Sequence, residues 1–175
     1  MGVAGCGKSS VGKAVSEHFG WIFVEGDDLH GTANIEKMSR GEALTDDDRW
    51  PWLQRVGEQF GSIADNTSGL VVSCSALRRS YRDRINEGAG GEVFFLHLHS
   101  EQSVISKRMA ARKNHFMPPG LLNSQYQTLE LFAADEYGAV IDISGSMETS
   151  IANSIATIQN KVMGTSQESA RQNSA

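Results

Sequence analysis

The chain of 175 residues is long enough for one domain with a proper hydrophobic core. Its formal net charge of −5 disfavours nucleic acid as the main partner. We find no apolar run near the roughly 18 residues that span a bilayer and no signal peptide, so we expect no membrane partner. Cys6 and Cys74 are too few for a disulfide framework, which favours a reducing, cytoplasmic setting.

The first nine residues contain the spacing G-x-x-x-x-G-K-S, which is typical of a phosphate-binding P-loop. Lys8 can reach the β- and γ-phosphates, and the Ser9 hydroxyl can bind Mg²⁺. The apolar spacing over residues 8–19 predicts a helix whose N-terminal dipole adds to the anion site. An ordinary glycine-rich turn is the alternative. The expected nucleotide-binding residues of the loop are Gly2, Val3, Ala4, Gly5, Cys6, Gly7, Lys8, Ser9 and Ser10.

The start of the chain poses a structural problem, because a P-loop normally follows a buried apolar strand and Met1 already lies inside the loop. In a doubly wound kinase sheet that strand would be central. Without it, two neighbouring strands would keep unpaired backbone groups and an uncovered core. We therefore expect the natural product to begin about 8–12 residues upstream, the length of a strand and its lead-in. An intact native mass matching a start at Met1 would contradict this.

Strand and helix patterns alternate along the chain. Predicted strands are 21–25, 70–74, 93–98 and 139–143, and predicted helices are 8–19, 46–65, 78–87, 101–112, 121–129 and 147–162. This alternation indicates parallel pairing through right-handed crossovers. We expect an α/β three-layer sandwich of the P-loop NTPase type, with helices on both faces of a parallel sheet. It would form a single kinase domain over 1–163 with a lid at about 108–121, followed by a disordered polar tail at 164–175.

An acidic segment, Glu25-Gly26-Asp27-Asp28, follows the first predicted strand. Ligands of open α/β sheets bind beyond the carboxyl ends of the strands, which places these carboxylates opposite the P-loop. Such a group could orient Mg²⁺ or accept a proton from an attacking hydroxyl. A helix-capping acidic turn is the alternative interpretation.

Two basic segments are further candidates. Arg78, Arg79 and Arg82 stand beside hydroxyl residues after the second predicted strand, which suits an anionic, polyhydroxylated ligand. Arg108 and Arg112 share a helix face and lead into the predicted lid, where cations could meet a transferring phosphoryl group. For the second segment, a merely solvated basic face is the alternative.

Histidines and tryptophans give weaker signals. His97 and His99 alternate along a predicted strand, but a metal site there is disfavoured because no acidic or thiol partner is near in the sequence. Trp50 and Trp52 flank a proline near a helix start, and we expect them to pack rather than to contact a ligand.

With these motifs in order, the chain resembles the gluconate kinase (gluconokinase) family of P-loop small-molecule kinases from Gly2 to about Val162. The segments that carry the resemblance, besides the P-loop, are Glu25-Gly26-Asp27-Asp28-Leu29-His30, Asn34-Ile35-Glu36-Lys37-Met38 with Gly41, Leu44-Thr45-Asp46-Asp47-Asp48-Arg49 with Pro51-Trp52-Leu53, Cys74-Ser75-Ala76-Leu77 with Tyr81-Arg82-Asp83, and Arg112-Lys113-Asn114-His115-Phe116-Met117 with Gln125 and Thr128-Leu129-Glu130.

The resemblance implies ATP-dependent phosphorylation of D-gluconate at its 6-hydroxyl, giving 6-phospho-D-gluconate, with Mg²⁺ as cofactor and a homodimeric state. Matched by position, Lys8, Asp27 and Arg112 would be catalytic, and Ser9 would bind the metal. Arg108 and Arg112 would reach ATP from the lid. The gluconate side would consist of Asp27, His30, Arg49, Arg78, Arg82 and His115.

Some positions depart from the family pattern. Glu25 replaces a frequent aspartate, Gly31 a proline, Arg78 a lysine, and Leu131-Phe132 a proline-containing pair. None of these changes removes a required group. The rival interpretations are a related kinase for shikimate or a nucleoside monophosphate, and a catalytically silent ATP-binding paralogue. A GTP-hydrolysing switch is disfavoured because no N-K-x-D motif is present.

Overall fold

The computed structural model describes residues 1–62, 69–110 and 119–164, and for residues 119–121 it describes the backbone. Helix α1 (Lys8–Phe19) starts and ends where the sequence predicts. The glycines at its two ends, Gly7 and Gly20, have φ values of 95° and 68°, a left-handed conformation that a residue with a Cβ adopts only with strain. Val11 and Val15 of α1 are buried against the core.

The next segment carries one helix that the sequence pattern did not indicate. Strand β1 (Ile22–Glu25) runs into a 3₁₀ turn (Gly26–Leu29), and helix α2 (Thr32–Ser39) follows. Two large apolar residues of α2, Ile35 and Met38, are 51% and 41% exposed. Because α2 buries no apolar stripe, the periodicity that reveals an amphipathic helix is missing from its sequence.

Helix α3 (Asp46–Gly61) begins at the predicted residue with a capping box. Thr45 accepts a hydrogen bond from the Asp48 N–H, and the Asp48 carboxylate accepts one from the Thr45 N–H at 2.7 Å. Both partners satisfy N–H groups that have no acceptor inside the helix. The helix was predicted to reach residue 65, but it ends at Gly61, and residues 63–68 lie outside the described range.

The remaining elements follow the predicted alternation, with ends that differ by a few residues. They are β2 (Leu70–Ser73), α4 (Arg79–Ala89), β3 (Phe95–His99), α5 (Gln102–Ala110), α6 (Pro119–Thr128), β4 (Gly138–Asp142), α7 (Met147–Ile158) and a π-helical turn (Gln159–Met163). The predicted tail lies outside the described residues except for Gly164. In the described ranges, every helix is too short or too polar to cross a membrane.

The four strands pair in parallel, as predicted, and form two pairs. Strand β1 pairs with β2 from Ile22↔Leu70, and β3 pairs with β4 from Phe95↔Gly138. Between the two pairs lies Met1, which exchanges backbone hydrogen bonds with β3. The fold is of the expected α/β class. Within the described residues, the parallel strands form two separate pairs, and Met1 lies between these pairs.

Two apolar clusters flank this divided sheet. One contains α1 and α7 residues such as Val15 and Ile158, and the other contains α3 and α4 residues such as Leu53 and Ile85. Helices α3 and α4 approach closely at Gly57, where an added Cβ would lie 2.4 Å from the Ile85 carbonyl oxygen. A residue larger than glycine at position 57 would push the two helices apart.

Candidate active site

The P-loop has the backbone geometry of an anion-binding loop. Gly2, Gly5 and Gly7 have φ values of 138°, 78° and 95°. Gly7 is the N-cap of α1 and has no capping side chain, so the N–H groups of Lys8 and Ser9 in the first turn are left for a ligand. The helix dipole favours negative charge at the same point. The loop therefore has a backbone conformation that suits the predicted phosphate site, and the phosphate-binding roles of its residues stay predictions.

Neighbouring helices fix the shape of the loop. Gln125 of α6 accepts a hydrogen bond from the Ala4 N–H at 2.6 Å, and Lys8 donates through Nζ to the Val3 carbonyl at 3.0 Å. Met109 of α5 lies so close to Gly5 that an added Cβ would be 2.7 Å from its Cγ. Cys6 is buried within the loop.

The acidic segment lies at the carboxyl end of β1. Asp27 is exposed on the 3₁₀ turn, while the backbone beneath it is held by Trp52, whose Nε1 donates to the Gly26 carbonyl at 2.7 Å. Ser73 at the end of β2 donates its hydroxyl to Glu25 and accepts from the Gly26 N–H at 3.3 Å. The turn is thus anchored from two elements, and Asp27 on it is exposed.

His30 lies next to this turn in a defined orientation. Its ring stacks on the Trp52 indole with centroids 4.1 Å apart and 17° between the planes. Asn34 donates to Nδ1 at 3.3 Å, an assignment that leaves the proton of the neutral ring on Nε2. Burial lowers the pKa of His30, the Asp27 charge opposes that shift, and Arg55 and Arg49 lower the pKa further. His30 is therefore a neutral hydrogen-bonding group near neutral pH.

Arg49 and Arg78 converge on one carboxylate at the start of α3. Arg78 donates to Oδ2 of Asp46 at 2.6 Å, and Arg49 donates to Oδ1 at 3.4 Å. The Tyr81 hydroxyl donates to the same Oδ1 at 2.5 Å, and both guanidinium groups lie over the Tyr81 ring at 5.7 Å. Burial, followed by this hydrogen bond, raises the pKa of Tyr81. Two partly exposed arginines are thus held side by side in fixed directions.

Arg82, which the resemblance placed on the substrate side, lies in the protein interior. Its side chain is 1% exposed and forms a two-pronged ion pair with Glu136 at 2.5 and 3.0 Å. It also donates to the carbonyl oxygens of Ala76, Leu77 and Glu130. The ion pair holds the pKa of Glu136 below its usual range. Arg82 therefore fixes the loop between β2 and α4, including Ala76 with its φ of 44°.

The cationic residues of the predicted lid are only partly described. Arg108 on α5 donates to the Gly145 carbonyl at 2.5 Å, in the loop that precedes α7. Met147 at the start of α7 lies close to Gly7, so this loop borders the P-loop. Arg112 and His115 lie outside the described residues, and their roles stay predictions.

The two sides of the site meet around Cys74, the residue that follows β2. Burial raises the pKa of this thiol to about 11. The charge of Asp27 also favours a raised pKa, whereas the charges of the Met1 ammonium and Lys8 oppose it. Besides burial, the charges of Asp27 and Arg49 shift the pKa of His30 in opposite directions: Asp27 raises it and Arg49 lowers it. Lys8 and Asp27 therefore both act electrostatically on Cys74, and Asp27 and Arg49 both act on His30.

The donor set fits a magnesium ion that arrives with a nucleotide. Among the described residues, no group of three or more His, Cys, Asp or Glu side chains could hold a metal alone. Mg²⁺ in kinases usually keeps several waters and binds to one or two protein oxygens plus substrate phosphates. Ser9, the second residue of α1, and the exposed Asp27 offer oxygens of that kind.

Several residues of the site carry no role in the sequence interpretation. Asp46, Tyr81 and Asn34 orient predicted side chains, Trp52 supports both Asp27 and His30, and Gln125 contacts the P-loop. All except Trp52 and Asn34 contact partners more than 30 residues away in the chain. These residues lie inside the segments that resemble the gluconate kinase family, but their position in the sequence does not show which residues they contact.

Comparison with known proteins agrees with this arrangement. A family model described as shikimate kinase matches residues 4–165. A probable gluconokinase of Schizosaccharomyces pombe is 42% identical over 156 residues, covering 86% of this chain and 81% of its own. The thermoresistant gluconokinase of Escherichia coli K12 is 39% identical and covers 91% of both chains.

Solved structures give the same result. A gluconokinase from Sinorhizobium meliloti 1021 superposes with a TM-score of 0.87 at 44% identity, covering 97% of this chain and 94% of its own. A shikimate kinase from Bacteroides thetaiotaomicron, at 16% identity and a TM-score of 0.54, shares the fold. The chain therefore belongs to the gluconokinase family, within the P-loop kinases of the shikimate kinase type.

Proposed function

We propose that this protein phosphorylates D-gluconate with ATP, giving 6-phospho-D-gluconate and ADP. The observation that supports this most is the pair of partly exposed arginines, Arg49 and Arg78, oriented by Asp46, in a chain that also has an exposed carboxylate, Asp27, after β1 and a P-loop whose backbone suits an anion. A sugar acid needs this combination, because its carboxylate requires cations while its reacting hydroxyl requires a proton acceptor near the phosphate site.

The P-loop holds the ATP phosphates. The N–H groups of the loop and of the first turn of α1 would bind phosphate oxygens, and Lys8 would leave the Val3 carbonyl to contact the β- and γ-phosphates. Ser9, with Asp27 as a second candidate ligand, would hold the Mg²⁺ of the nucleotide. That ion supplies charge neutralisation at the transferring group when it is bound.

Asp27 acts on the 6-hydroxyl of the substrate. In the transfer step, the hydroxyl oxygen forms a bond to the γ-phosphorus, the bond from that phosphorus to the β,γ-bridging oxygen breaks, and the hydroxyl proton passes to the Asp27 carboxylate. The Trp52–Gly26 and Ser73–Glu25 contacts hold the turn in place, so this carboxylate needs little reorganisation.

Arg49 and Arg78 bind the gluconate carboxylate, and His30 binds a hydroxyl through Nε2. The two guanidinium groups are 29% and 39% exposed and retain unused donors beyond their bonds to Asp46. Arg82 is 1% exposed and donates to Glu136 and to backbone carbonyls, so its part in the site is to position the loop that carries Arg78.

The remaining expectations rest on the resemblance alone. Arg112 would spread the charge of the transferring phosphoryl group, His115 would complete the substrate side, and Arg108 would contact the nucleotide. The protein would act as a homodimer in the cytoplasm. Residues 108–121 would close over the bound substrates and exclude water.

The decisive experiment measures ADP release by the purified chain with Mg·ATP. D-gluconate, shikimate and a nucleoside monophosphate are supplied in separate reactions beside a reaction without acceptor. The proposal expects release that depends on D-gluconate, with a product whose phosphate is on the 6-oxygen by ³¹P NMR. Release that depends on shikimate or the nucleotide would support the rival kinases. ATP binding without release in any reaction would indicate a silent nucleotide-binding protein.

A further inference from the structure

Asn34 of α2 is a buried polar side chain beside His30. It is 8% exposed and is the third residue of α2, whose N-cap, Gly31, directly follows His30. Its amide nitrogen, Nδ2, lies 2.8 Å from the carbonyl oxygen of Asp48 in α3 and 3.3 Å from Nδ1 of His30. One NH₂ group therefore bridges a backbone oxygen of a neighbouring helix and a ring nitrogen of the site.

The Asp48 carbonyl determines which way this amide points. A carbonyl oxygen only accepts hydrogen bonds, so the Asn34 atom that faces it is the NH₂ group. The opposite orientation would place Oδ1 of Asn34 against another oxygen, which leaves two buried acceptors in contact without a proton between them. This contact is independent of the histidine, and it leaves the second proton of Nδ2 for the His30 ring.

The orientation of the amide in turn determines where the His30 ring carries its proton. An amide NH₂ group only donates, so Nδ1 must accept, and the neutral ring then has its proton on Nε2. A proton on Nδ1 would bring an N–H group against the NH₂ group of Asn34. The Trp52 indole, stacked with its centroid 4.1 Å from that of the ring, keeps the imidazole in one plane.

The charged groups around His30 leave the ring neutral. Burial lowers its pKa, the charge of Asp27 on the 3₁₀ turn opposes this shift, and Arg55 and Arg49 of α3 lower the pKa further. A neutral ring whose Nδ1 accepts from Asn34 and whose Nε2 carries the proton has no lone pair left for another proton. Such a ring donates to a ligand oxygen and cannot act as a general base.

We infer that Asn34 is a positioning residue whose amide holds His30 as the Nε2–H tautomer, so that the ring donates to an acceptor oxygen of the ligand and takes no part in proton transfer. The tautomer follows from the contacts of Asn34 alone. The identity of the ligand oxygen as a hydroxyl of the sugar acid rests on the proposed function. The inference removes His30 as a rival proton acceptor and supports Asp27 in that role.

The tautomer is measured by ¹⁵N NMR of the histidine rings in the ligand-free chain at neutral pH, since protonated and unprotonated ring nitrogens give separate signals. The loss of signals in His30→Phe, which keeps a ring beside Trp52, identifies those of His30. The expected spectrum has a protonated Nε2 and an unprotonated Nδ1. A protonated Nδ1 in the parent chain would overturn the inference, and this result does not depend on the folding of any Asn34 variant.

Two variants test whether Asn34 is the cause. In Asn34→Ala, the Nδ1–H form is expected to gain at least about tenfold relative to the Nε2–H form, because a hydrogen bond contributes a factor of that order. Asn34→Asp places a carboxylate beside Nδ1 and is expected to raise the pKa of His30 and protonate Nδ1. The exposed Glu36→Gln on the same helix is the matched control and should leave the spectrum unchanged. An unchanged tautomer in Asn34→Ala would show that Asn34 only supports the helix, which contradicts the inference.

A double-mutant cycle on the KM for D-gluconate gives the kinetic readout. Asn34→Ala alone is expected to raise this KM about tenfold with the KM for ATP unchanged, and in the His30→Phe background it is expected to add nothing, because it acts through the ring. Equal increases in both backgrounds would overturn the inference. If the chain transfers no phosphate to D-gluconate, the proposed function fails, while the NMR measurement still decides the role of Asn34.

Discussion

Nη1 of Arg78 lies 2.6 Å from Oδ2 of Asp46, and this ion pair determines where the guanidinium points. Arg78 is the N-cap residue of α4, at the end of the loop that follows β2, and Asp46 is the first residue of α3. Arg49 and Tyr81 bond to the same carboxylate, so one acid holds both of the arginines that we propose to bind the substrate. The acid orients the arginines, and a sugar carboxylate would use the donors that remain.

Replacing Arg78 by alanine is expected to raise the KM for D-gluconate by about 10–100-fold, because a hydrogen bond to a charged group contributes about 1.5–3 kcal/mol. The KM for ATP should change little. Steady-state kinetics with each substrate varied in turn would show this. Arg79→Ala is the matched control, since Arg79 is partly exposed and pairs with Asp135. An unchanged gluconate KM in Arg78→Ala would remove Arg78 from the carboxylate site.

Asp27→Asn is expected to lower kcat by about 10²–10⁴-fold, the usual contribution of a positioned general base. Nucleotide affinity, measured by calorimetry, should remain close to that of the parent chain. The neighbouring Asp28 is also exposed, so Asp28→Asn tests for a general effect of lost charge. If Asp27→Asn retained substantial turnover, proton acceptance would belong to another group.

Lys8→Ala is expected to abolish measurable turnover and weaken ATP binding, because Lys8 is the loop's cationic contact to the β- and γ-phosphates. Circular dichroism should show an intact fold, since its hydrogen bond to the Val3 carbonyl is a single contact within the loop. Lys13→Ala is the control on the same helix at an exposed position. Normal ATP-dependent turnover in Lys8→Ala would contradict the phosphate-binding assignment.

Sequence patterns predicted best the features that depend on the local backbone conformation. The P-loop and α1 were predicted at their observed residues because glycine spacing and apolar periodicity act over a few positions. The start of α3 was likewise predicted, and its capping box is local. Helix α2 was missed because it buries no apolar stripe.

The side-chain network could not be predicted in the same way. The Asp46–Arg78 contact joins residues 32 apart, and Arg82 meets Glu136 across 54 residues. In the sequence of a family-like segment, an arginine that binds substrate cannot be distinguished from an arginine that forms an ion pair in the core. Only the packing of α4 against the loop after α6 distinguishes them, because it covers Arg82 and leaves Arg78 partly open.

Arg82→Leu is expected to lower the free energy of unfolding by about 3–5 kcal/mol, because removing one partner leaves the buried Glu136 carboxylate unpaired. Urea denaturation would measure the loss. Arg79→Leu removes a partly exposed pair on the same helix and should cost no more than about 1 kcal/mol. A stable Arg82→Leu variant with a greatly raised gluconate KM would restore the direct binding role.

The last prediction concerns His97 in the middle of β3. Its side chain is 1% exposed, and among the described residues Nδ1 has no hydrogen-bond partner. Burial, with smaller contributions from the charges of the Met1 ammonium, His99 and Arg82, lowers the pKa of His97 from 6.5 to about 3. The unfolded chain therefore binds a proton here at a higher pH than the folded chain does.

The sign follows from this difference in pKa. The stability that neutral His97 contributes is fully present above pH 6.5 and is lost as the pH falls towards about 3. One proton changes the free energy of unfolding by up to about 1.4 kcal/mol per pH unit in this window.

His97→Phe keeps a ring beside Phe132 but cannot be protonated, so its stability should fall less steeply with acid. Urea unfolding from pH 7 to 4 measures both slopes, with the exposed His18→Gln as control. Equal slopes in His97→Phe and the parent chain would show that His97 is protonated in the folded state and that its environment tolerates the charge.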